Sequence, residues 1–284
     1  MDQENEDKTS IKEIMTNNKK LLIFLLVISV AIAIVLFLNR NNNDDEAFIL
    51  LSNNYIIQVN DGKYSLVDRK NELPSAVLKN RLRVFYNDEF LGNYKLDNEI
   101  KMNDDDPHFY FTDGKKSFSF LTPNIAMSQN VKYIGYEMVA FSDEDFDVLK
   151  NDVGMYWVEK KSDLSYAKKI ILDFNSDGKE EVLYFATFVG SSVRDNSVDD
   201  GEVKYEKPVF SVVYMNIDDE IIIVEESTVS NSSQVLYFYD IAFIIDVFGD
   251  GVYEFIISST YYDIPDYIVY DYNNGSYDMA LAVE

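Results

Sequence analysis

The sequence contains no cysteine, one histidine and one tryptophan in 284 residues. Without cysteine the chain forms no disulfide, has no thiol nucleophile and holds no zinc through thiolates. The single histidine, His108, nearly excludes a Ser-His-Asp triad, because a catalytic base needs oriented partners that the sequence does not identify. The sequence also lacks P-loop, GxGxxG and HExxH motifs. The common nucleophilic, nucleotide-binding and zinc-dependent enzyme classes are therefore disfavoured.

Basic residues are scarce relative to acidic ones. The chain has 25 Lys and Arg against 50 Asp and Glu, which gives a formal net charge of −25. This balance argues against nucleic acid as a partner, since neutralising phosphates requires clustered Lys and Arg. It favours solubility and the binding of cations. Hydrophobic residues make up 47% of the chain, so a sizeable core is possible.

One long apolar run lies near the N-terminus. Residues 21–38 carry no charge, and Ser29 is their only polar residue. At a helical rise of about 1.5 Å per residue, this run would span roughly 27 Å, enough to cross a hydrocarbon core. A cleaved signal peptide is the alternative, but the run is long for one, and the NRNNN that follows offers no small-residue cleavage site. We expect an uncleaved single-pass anchor, so the membrane is a partner of residues 21–38.

Flanking charge predicts the orientation of this anchor. Four lysines precede it and Arg40 follows it closely, which favours a cytoplasmic N-terminus and an extracytoplasmic C-terminal region at the cell membrane. The predicted organisation is a cytoplasmic tail over 1–20, the transmembrane helix over 21–38, a polar linker over 39–47, a first β region over 48–150 and a repeat region over 151–284.

Beyond residue 48, short apolar runs alternate with turn residues, and Tyr and Phe are abundant. Asn and Gly tolerate the positive φ of tight hairpins, so such turns between β-rich runs predict hairpins. The predicted turns are Asn60-Asp61-Gly62, Asp113-Gly114, Asp218-Asp219 and Asn273-Asn274-Gly275. Few helices are expected: one begins after Ser142, with Asp145 three residues later, and another at Pro123. The fold class predicted outside the membrane is therefore mainly β.

An internal repeat is the most specific signal. Residues 170–187 read IILDFNSDGKEEVLYFAT, and residues 243–260 read FIIDVFGDGVYEFIISST. At a constant offset the following residues match: Asp173 with Asp246, Asp177 with Asp250, Gly178 with Gly251, and Glu181 with Glu254. Each copy is predicted to be a strand, an acidic loop and a second strand, and such repeats usually complete one another's core.

The first loop has the ligand spacing of a calcium site. Oxygen-bearing side chains stand at positions 1, 3, 5 and 9, Gly at position 6 allows a sharp turn, and the carbonyl of position 7 can point inward. The predicted ligands are Asp173, Asn175, Asp177, the Lys179 carbonyl and Glu181. An EF-hand would need flanking helices and Glu at position 12, where Tyr184 stands.

The second loop is one ligand short. Asp246, Asp250 and Glu254 are its predicted metal ligands, while Phe248 occupies position 3. The alternative for both loops is a metal-free acidic turn, because Asp and Asn side chains often bond nearby backbone amides. Ca²⁺ is thus expected at the first loop and is less favoured at the second, with a structural rather than a catalytic role.

The two loops resemble the calcium loops of FG-GAP/VCBS-type repeats, which occur in integrin-like β-propellers and bacterial surface proteins. The resemblance covers residues 165–284. It implies strand-loop-strand calcium sites within an all-β region. Two copies are too few to close a propeller, so the resemblance implies a partial β-propeller-like arrangement or a β-sandwich.

Two functions from different classes fit these features. The first is a membrane-anchored, calcium-stabilised protein that binds an envelope protein or glycan without catalysis. The second is an anchored glycoside hydrolase, which would need two carboxyls about 5 to 10 Å apart in a groove. Trp157 and the Tyr-rich stretch 261–267 are candidates to line a glycan or peptide site, although strand packing is the simpler role for them.

Overall fold

The computed structural model describes residues 46–51, 55–67, 73–86, 89–96, 110–112, 114, 117–119, 124–190, 192–194, 203–261, 264–273 and 275–283. The chain divides into two units, Met1–Glu46 and Ala47–Glu284. The predicted anchor and His108 lie outside the described residues. Within the described residues, no helix is long and apolar enough to cross a membrane. The anchor over 21–38 therefore stays a prediction from sequence.

The fold is mainly β, as predicted, with 61% of the described residues in strands. The strands of the first half are β1 (Glu46–Leu51), β2 (Tyr55–Asn60), β3 (Lys63–Leu66), β4 (Leu82–Tyr86), β5 (Glu89–Leu96), β6 (Tyr110–Thr112), β7 (Ser117–Ser119), β8 (Asn124–Met127), β9 (Lys132–Tyr133) and β10 (Val139–Ala140). Those of the second half are β11 (Tyr166–Leu172), β12 (Glu181–Phe188), β13 (Ser192–Arg194), β14 (Val203–Ile217), β15 (Glu220–Asn231), β16 (Phe238–Asp246), β17 (Glu254–Tyr261), β18 (Ile264–Asn273) and β19 (Ser276–Val283). The described helices are α1 (Ser75–Lys79), α2 (Asp143–Asn151) and a 3₁₀ turn (Lys161–Asp163).

Three sheets contain these strands. The first has the order β3-β2-β1-β8-β4-β5-β6-β7, the second has the path β10-β11-β12-β14-β13 with β15 also beside β14, and the third has the order β19-β18-β17-β16-β9. The two sequence repeats form equivalent parts of the second and third sheets. In one, β11, β12, β14 and β15 pair successively, and in the other, β16 to β19 do the same, antiparallel throughout.

The third sheet is buried on both faces. Phe243 and Ile245 of β16 pack in a core shared with the first sheet, whereas Ile244 between them packs in a core shared with the second sheet. On β17, Ile256 belongs to the first of these cores and Phe255 to the second. Burial on both faces explains why these strands read as continuous apolar runs rather than as alternating ones.

The short helices cover the outer faces of the other two sheets. Phe146 and Leu149 of α2 pack with Tyr184 and Tyr214 of the second sheet. Val77 of α1 packs in a separate core on the first sheet. The layers of the described structure are thus α1, first sheet, third sheet, second sheet and α2.

The predicted hairpins are confirmed. The four turns join β2 to β3, β6 to β7, β14 to β15, and β18 to β19. At the Asp218-Asp219 turn both residues have positive φ, 51° and 67°, as the two central residues of a tight hairpin require.

The helix predicted after Ser142 is confirmed as α2. The Asp145 backbone N–H donates to the Ser142 hydroxyl at 3.2 Å, and the Ser142 N–H donates to the Asp145 carboxylate at 2.6 Å, which together form a capping box. The helix predicted to begin at Pro123 is wrong, because the residues that follow it form β8. These residues extend beside β1 and β4, and sheet pairing outweighs the local preference of one proline.

Candidate metal site at the paired acidic loops

The first acidic loop connects β11 to β12 as a tight strand-loop-strand turn. Leu172 pairs with Glu181 at the base of the loop, so the register places position 1, just after β11, close to position 9 at the start of β12. The chain reverses within the loop because Ser176 and Gly178 adopt positive φ, 58° and 88°. Glycine adopts such a φ at little cost, which accounts for Gly at position 6.

Three carboxylates converge inside this loop. One oxygen from each of Asp173, Asp177 and Glu181 lies within 4.8 Å of the other two. Glu181 is buried, Asp173 is half-buried and Asp177 is exposed, so the group extends from the core to the surface. Burial raises the pKa of Glu181, its hydrogen bonds from Phe174 and Asn175 lower it, and the nearby Asp177 and Asp173 raise it. A hard cation here would neutralise like charges and take oxygen ligands, which suits calcium.

Backbone amides hold these side chains in place. The carboxylate of Asp173 accepts from the N–H groups of Asp177 and Gly178 at 3.1 and 3.0 Å. Glu181 accepts from the N–H of Phe174 at 2.7 Å. A carboxylate has about four lone-pair sites, so an oxygen that accepts an amide hydrogen keeps capacity for a cation.

The other two predicted ligands lie in the same loop. The side-chain oxygen of Asn175 accepts from the Asp177 N–H at 3.0 Å, which places the amide against position 5. Lys179 was expected to contribute its carbonyl. Its N–H donates to Asp177 at 2.8 Å, and its ammonium pairs with Asp218 of the β14–β15 hairpin. The Lys179 side chain thus places one positive charge beside the acidic loop.

The second loop repeats the backbone of the first. Ile245 pairs with Glu254, as Leu172 pairs with Glu181. Glu254 accepts from the N–H of position 2, Val247, at 2.9 Å, and Asp250 accepts from the N–H of position 7, Val252, at 3.0 Å.

The glycines at position 6 of the two loops also match. Gly251 has a φ of 89° and Gly178 has a φ of 88°. The sequence repeat is therefore a structural repeat, down to individual hydrogen bonds.

The ligand positions of the two loops differ. Within the part of the chain that the structure describes, Asp246, Asp250 and Glu254 do not form a second group of three carboxylates at the spacing of the first loop. Asp246 bonds the N–H of position 4, Gly249, at 2.6 Å instead of those of positions 5 and 6. Phe248 at position 3 packs its ring edge-on against Tyr64 of β3, with 6.2 Å between centroids. Position 3 of this loop thus contributes an aromatic contact with the first sheet.

Glu254 is the most deeply buried carboxylate of the second loop. It has no exposed surface, and its Oε1 has no hydrogen-bond partner. Burial is the largest of the causes that raise its pKa to about 8. The charges of neighbouring Asp271 and Asp246 also raise it, whereas its hydrogen bond from the Val247 N–H lowers it. Asp271 on β18 and Tyr64 on β3 also interact electrostatically with Glu254, yet neither lies near the second loop in sequence. No sequence signal pointed to them, because Asp271 reaches Glu254 through the pairing of β17 with β18, and Tyr64 reaches it through the stacking of the first sheet on the third.

The two loops contact each other directly. The Tyr253 N–H donates to the Phe174 carbonyl at 2.8 Å, and the Tyr277 hydroxyl donates to the Tyr253 carbonyl at 3.0 Å. The Phe174 ring packs edge-on against Phe255 and Tyr277. The first loop is therefore anchored on the third sheet through the second loop.

Of the aromatic residues considered for a binding site, some pack in the hydrophobic cores and others lie at the surface. Trp157 packs in the core beneath α2 and donates its indole N–H to the Pro208 carbonyl at 3.0 Å, so it has a structural role. Tyr267 is buried between the first and third sheets. Tyr261 is partly exposed and its ring lies 5.9 Å from that of Tyr237.

A groove of about 430 Å³ lies at this end of the third sheet. Asp266 is the only carboxylate among the described residues that line it. A glycoside hydrolase needs a pair of carboxyls across its groove. The lining of this groove therefore does not supply the pair that the enzymatic alternative requires.

Searches against known protein families, curated proteins and solved structures found no match to this chain.

Proposed function

We propose that this chain is a membrane-anchored, extracytoplasmic β protein, which calcium at the first loop stabilises and which binds a protein or glycan of the cell envelope without catalysis. The observation that carries the proposal is the convergence of Asp173, Asp177 and Glu181 within 4.8 Å. Three carboxylates this close repel one another, so the loop favours a bound cation. A cation that binds only the folded state stabilises that state relative to the unfolded one. Asn175 adds a fourth oxygen ligand in the same loop.

The fold supports the likeness to FG-GAP/VCBS-type repeats. Each repeat is a four-stranded antiparallel meander whose first hairpin carries the acidic loop, which is the general plan of a propeller blade. The proposed role of the ion is therefore to hold β11 and β12 together and, through the paired loop, to hold the third sheet.

The location rests on the sequence. The apolar run 21–38 and the lysines before it favour an anchor with the β region outside the cytoplasm. An extracytoplasmic position also suits the calcium proposal, because extracellular modules typically bind calcium with Kd values of about 10⁻⁴ to 10⁻³ M. Such sites fill only where calcium is abundant.

A capture experiment tests partner binding and its calcium dependence together. The full-length chain is purified, immobilised and exposed to solubilised envelope material in calcium or in chelator. We expect a partner that is retained in calcium and reduced in chelator, and a reduced yield with Asp177→Ala even in calcium. Asp152→Ala, at an exposed position on the C-terminal end of α2, serves as the matched control. Equal capture by all proteins in both buffers would contradict the calcium requirement, and no specific capture would contradict the binding role.

A further inference from the structure

The groove in the third sheet has a rigid floor. Tyr239 on β16 pairs with Ser259 on β17, which in turn pairs with Asp266 on β18, so the three residues lie side by side on one face. The Tyr239 N–H donates to the Ser211 hydroxyl at 3.1 Å, which ties this floor to the second sheet. A volume of about 430 Å³ is within the usual range for small-ligand sites, roughly 300–1,000 Å³.

Two tyrosines line the groove on this face. They are Tyr239 of β16 and Tyr237 just before it, and Tyr237 is 38% exposed. The backbone N–H of Tyr237 donates to the Ser227 hydroxyl at 3.0 Å, and its ring packs against that of Tyr261. The backbone of Tyr237 is thus tied to β15, and its exposed ring is held against the Tyr261 ring. Ordered tyrosine rings present negative faces, to which cations are attracted.

The charge around the groove is negative. Asp266 is part of its lining, and no Lys or Arg is found among the described residues that line it. Glu225 lies against the floor. Burial raises the pKa of Tyr239, and the negative charge and hydrogen bond of Glu225 raise it as well, with a smaller effect from Glu226. The chain as a whole carries a net charge of −25. The Tyr237 ring, the Asp266 carboxylate and the negative charge of the chain all attract cations and repel anions. The groove therefore favours an organic cation as its ligand.

We propose that this groove binds an arginine or lysine side chain of a protein partner, with the cationic group against the Tyr237 ring and Asp266 as its counter-ion. The inference rests on the proposed role in binding an envelope ligand and names the chemistry of that ligand. Ala282 and Val283 of β19 also line the groove, and β19 is the last strand in the order of its sheet. An extended partner segment can therefore approach the groove along this strand while its basic side chain enters.

The test uses the full-length chain and the blocked tripeptide acetyl-Gly-Arg-Gly-amide, with binding measured by ligand-observed NMR at about 0.15 M salt to screen distant charge. The comparison ligand contains citrulline, which has nearly the shape of arginine and no charge. We expect arginine to bind at least about twofold more tightly than citrulline, since a cation over a ring at a partly exposed site contributes about two- to fivefold. Ethylguanidinium, which has no main chain, should bind more weakly than the tripeptide.

Two pairs of variants locate the site. Tyr237→Leu should weaken arginine binding by about two- to fivefold, whereas Tyr237→Phe keeps the ring and should bind like wild type. Asp266→Asn should weaken binding, whereas Asp152→Asn makes the same charge change on an exposed residue just after α2 and should not. Melting temperatures check that each variant is folded.

Equal binding of arginine and citrulline would overturn the proposal and indicate a site for neutral polar ligands. Equal weakening by Asp152→Asn and Asp266→Asn would overturn it too, because it would reveal unspecific attraction to an acidic surface. Equal binding of ethylguanidinium and tripeptide would contradict a protein partner. These outcomes are separate from the capture experiment: an envelope partner that is retained while arginine fails to bind would leave the proposed function standing without this groove.

Discussion

The Ser176 hydroxyl of the first loop donates a hydrogen bond to the Gly251 carbonyl of the second. Position 4 of one copy thus contacts position 6 of the other. A Cβ placed on Gly251 would lie 2.9 Å from the Ser176 oxygen, closer than real Cβ atoms approach. The two loops are therefore fitted to each other, and a change in one is expected to affect the other.

This contact predicts that Gly251→Ala lowers the unfolding free energy substantially. The substitution imposes a positive φ on alanine and displaces the Ser176 hydroxyl, so we expect a loss of about 2 to 3 kcal/mol of unfolding free energy. Gly62→Ala is the control, because Gly62 also has positive φ but a Cβ there meets open space. It should cost only about 1 to 2 kcal/mol. Thermal melting of the full-length chain measures both.

A double variant checks the cause. In a Ser176→Ala background the extra cost of Gly251→Ala over Gly62→Ala should shrink, since the group that clashes is absent. If the extra cost of Gly251→Ala were the same in both backgrounds, the contact between Ser176 and Gly251 would not be its cause.

The α2 capping box predicts a strong effect of Asp145→Asn. Asp145 is 5% exposed, it caps α2, and its carboxylate pairs with Lys169 of β11 at 2.8 Å. Removing one partner of a buried pair leaves the other charge uncompensated, so we expect a loss of about 3 kcal/mol. Asp143→Asn breaks the exposed pair with Lys161 and should cost less than about 1 kcal/mol. Similar losses of unfolding free energy for the two variants would show that the buried pair contributes no more to stability than the exposed pair.

The raised pKa of Glu254 predicts that the stability of the fold, measured in chelator, depends on pH in an unusual way. Its folded pKa of about 8 lies above its ordinary value of 4.5, so the folded state binds its proton more tightly than the unfolded state does. The stability contributed by this proton is complete below about pH 4.5 and is lost as pH rises through 8. Glu254→Gln keeps a neutral side chain of similar shape. We expect it to exceed wild type by at least about 2 kcal/mol at pH 9 and to show little difference at pH 5.

The control for this measurement is Glu220→Gln, at the exposed β14–β15 turn, which should show no such pH-dependent gain. If Glu254→Gln were less stable than wild type at pH 9 in chelator, Glu254 would be ionised at no cost in the fold, and the assigned burial effect would be wrong.

The lysines before residue 21 predict the topology. Protease added to intact cells, or to protoplasts where a wall intervenes, should digest the region beyond residue 39, because the positive-inside rule places it outside. Lysed cells are the control for accessibility. Protection in intact cells, with digestion only after lysis, would reverse the orientation.

Local chemistry made part of the fold predictable. The Asp218-Asp219 and Asn60-Asp61-Gly62 turns identified hairpins because few residues tolerate positive φ, and Ser142 with Asp145 identified a helix start. The match between the two loops likewise predicted their shared backbone. The proline signal at Pro123 failed because a strand between β1 and β4 gains more from pairing than from local preference.

Contacts between distant segments could not be predicted. Tyr64 meets Phe248 only because the first sheet stacks on the third, and Asp271 approaches Glu254 only through the pairing of β17 with β18. The groove of Tyr237, Tyr239 and Asp266 arises from strand register in the same way. A single sequence carries turn and repeat signals, but it does not encode these pairings in any local pattern.

The most direct test of the account is the melting temperature of the full-length chain in millimolar calcium and in chelator. With Kd values of about 10⁻⁴ to 10⁻³ M, millimolar calcium adds roughly 0.4 to 1.4 kcal/mol, which corresponds to a rise of about 1 to 5 °C. Magnesium should do less, and sodium chloride of equal ionic strength controls for screening. Asp177→Ala should remove most of the calcium response, whereas Asp250→Ala should remove less. Equal melting temperatures in calcium and in chelator would contradict the proposed calcium site and leave both loops as acidic turns.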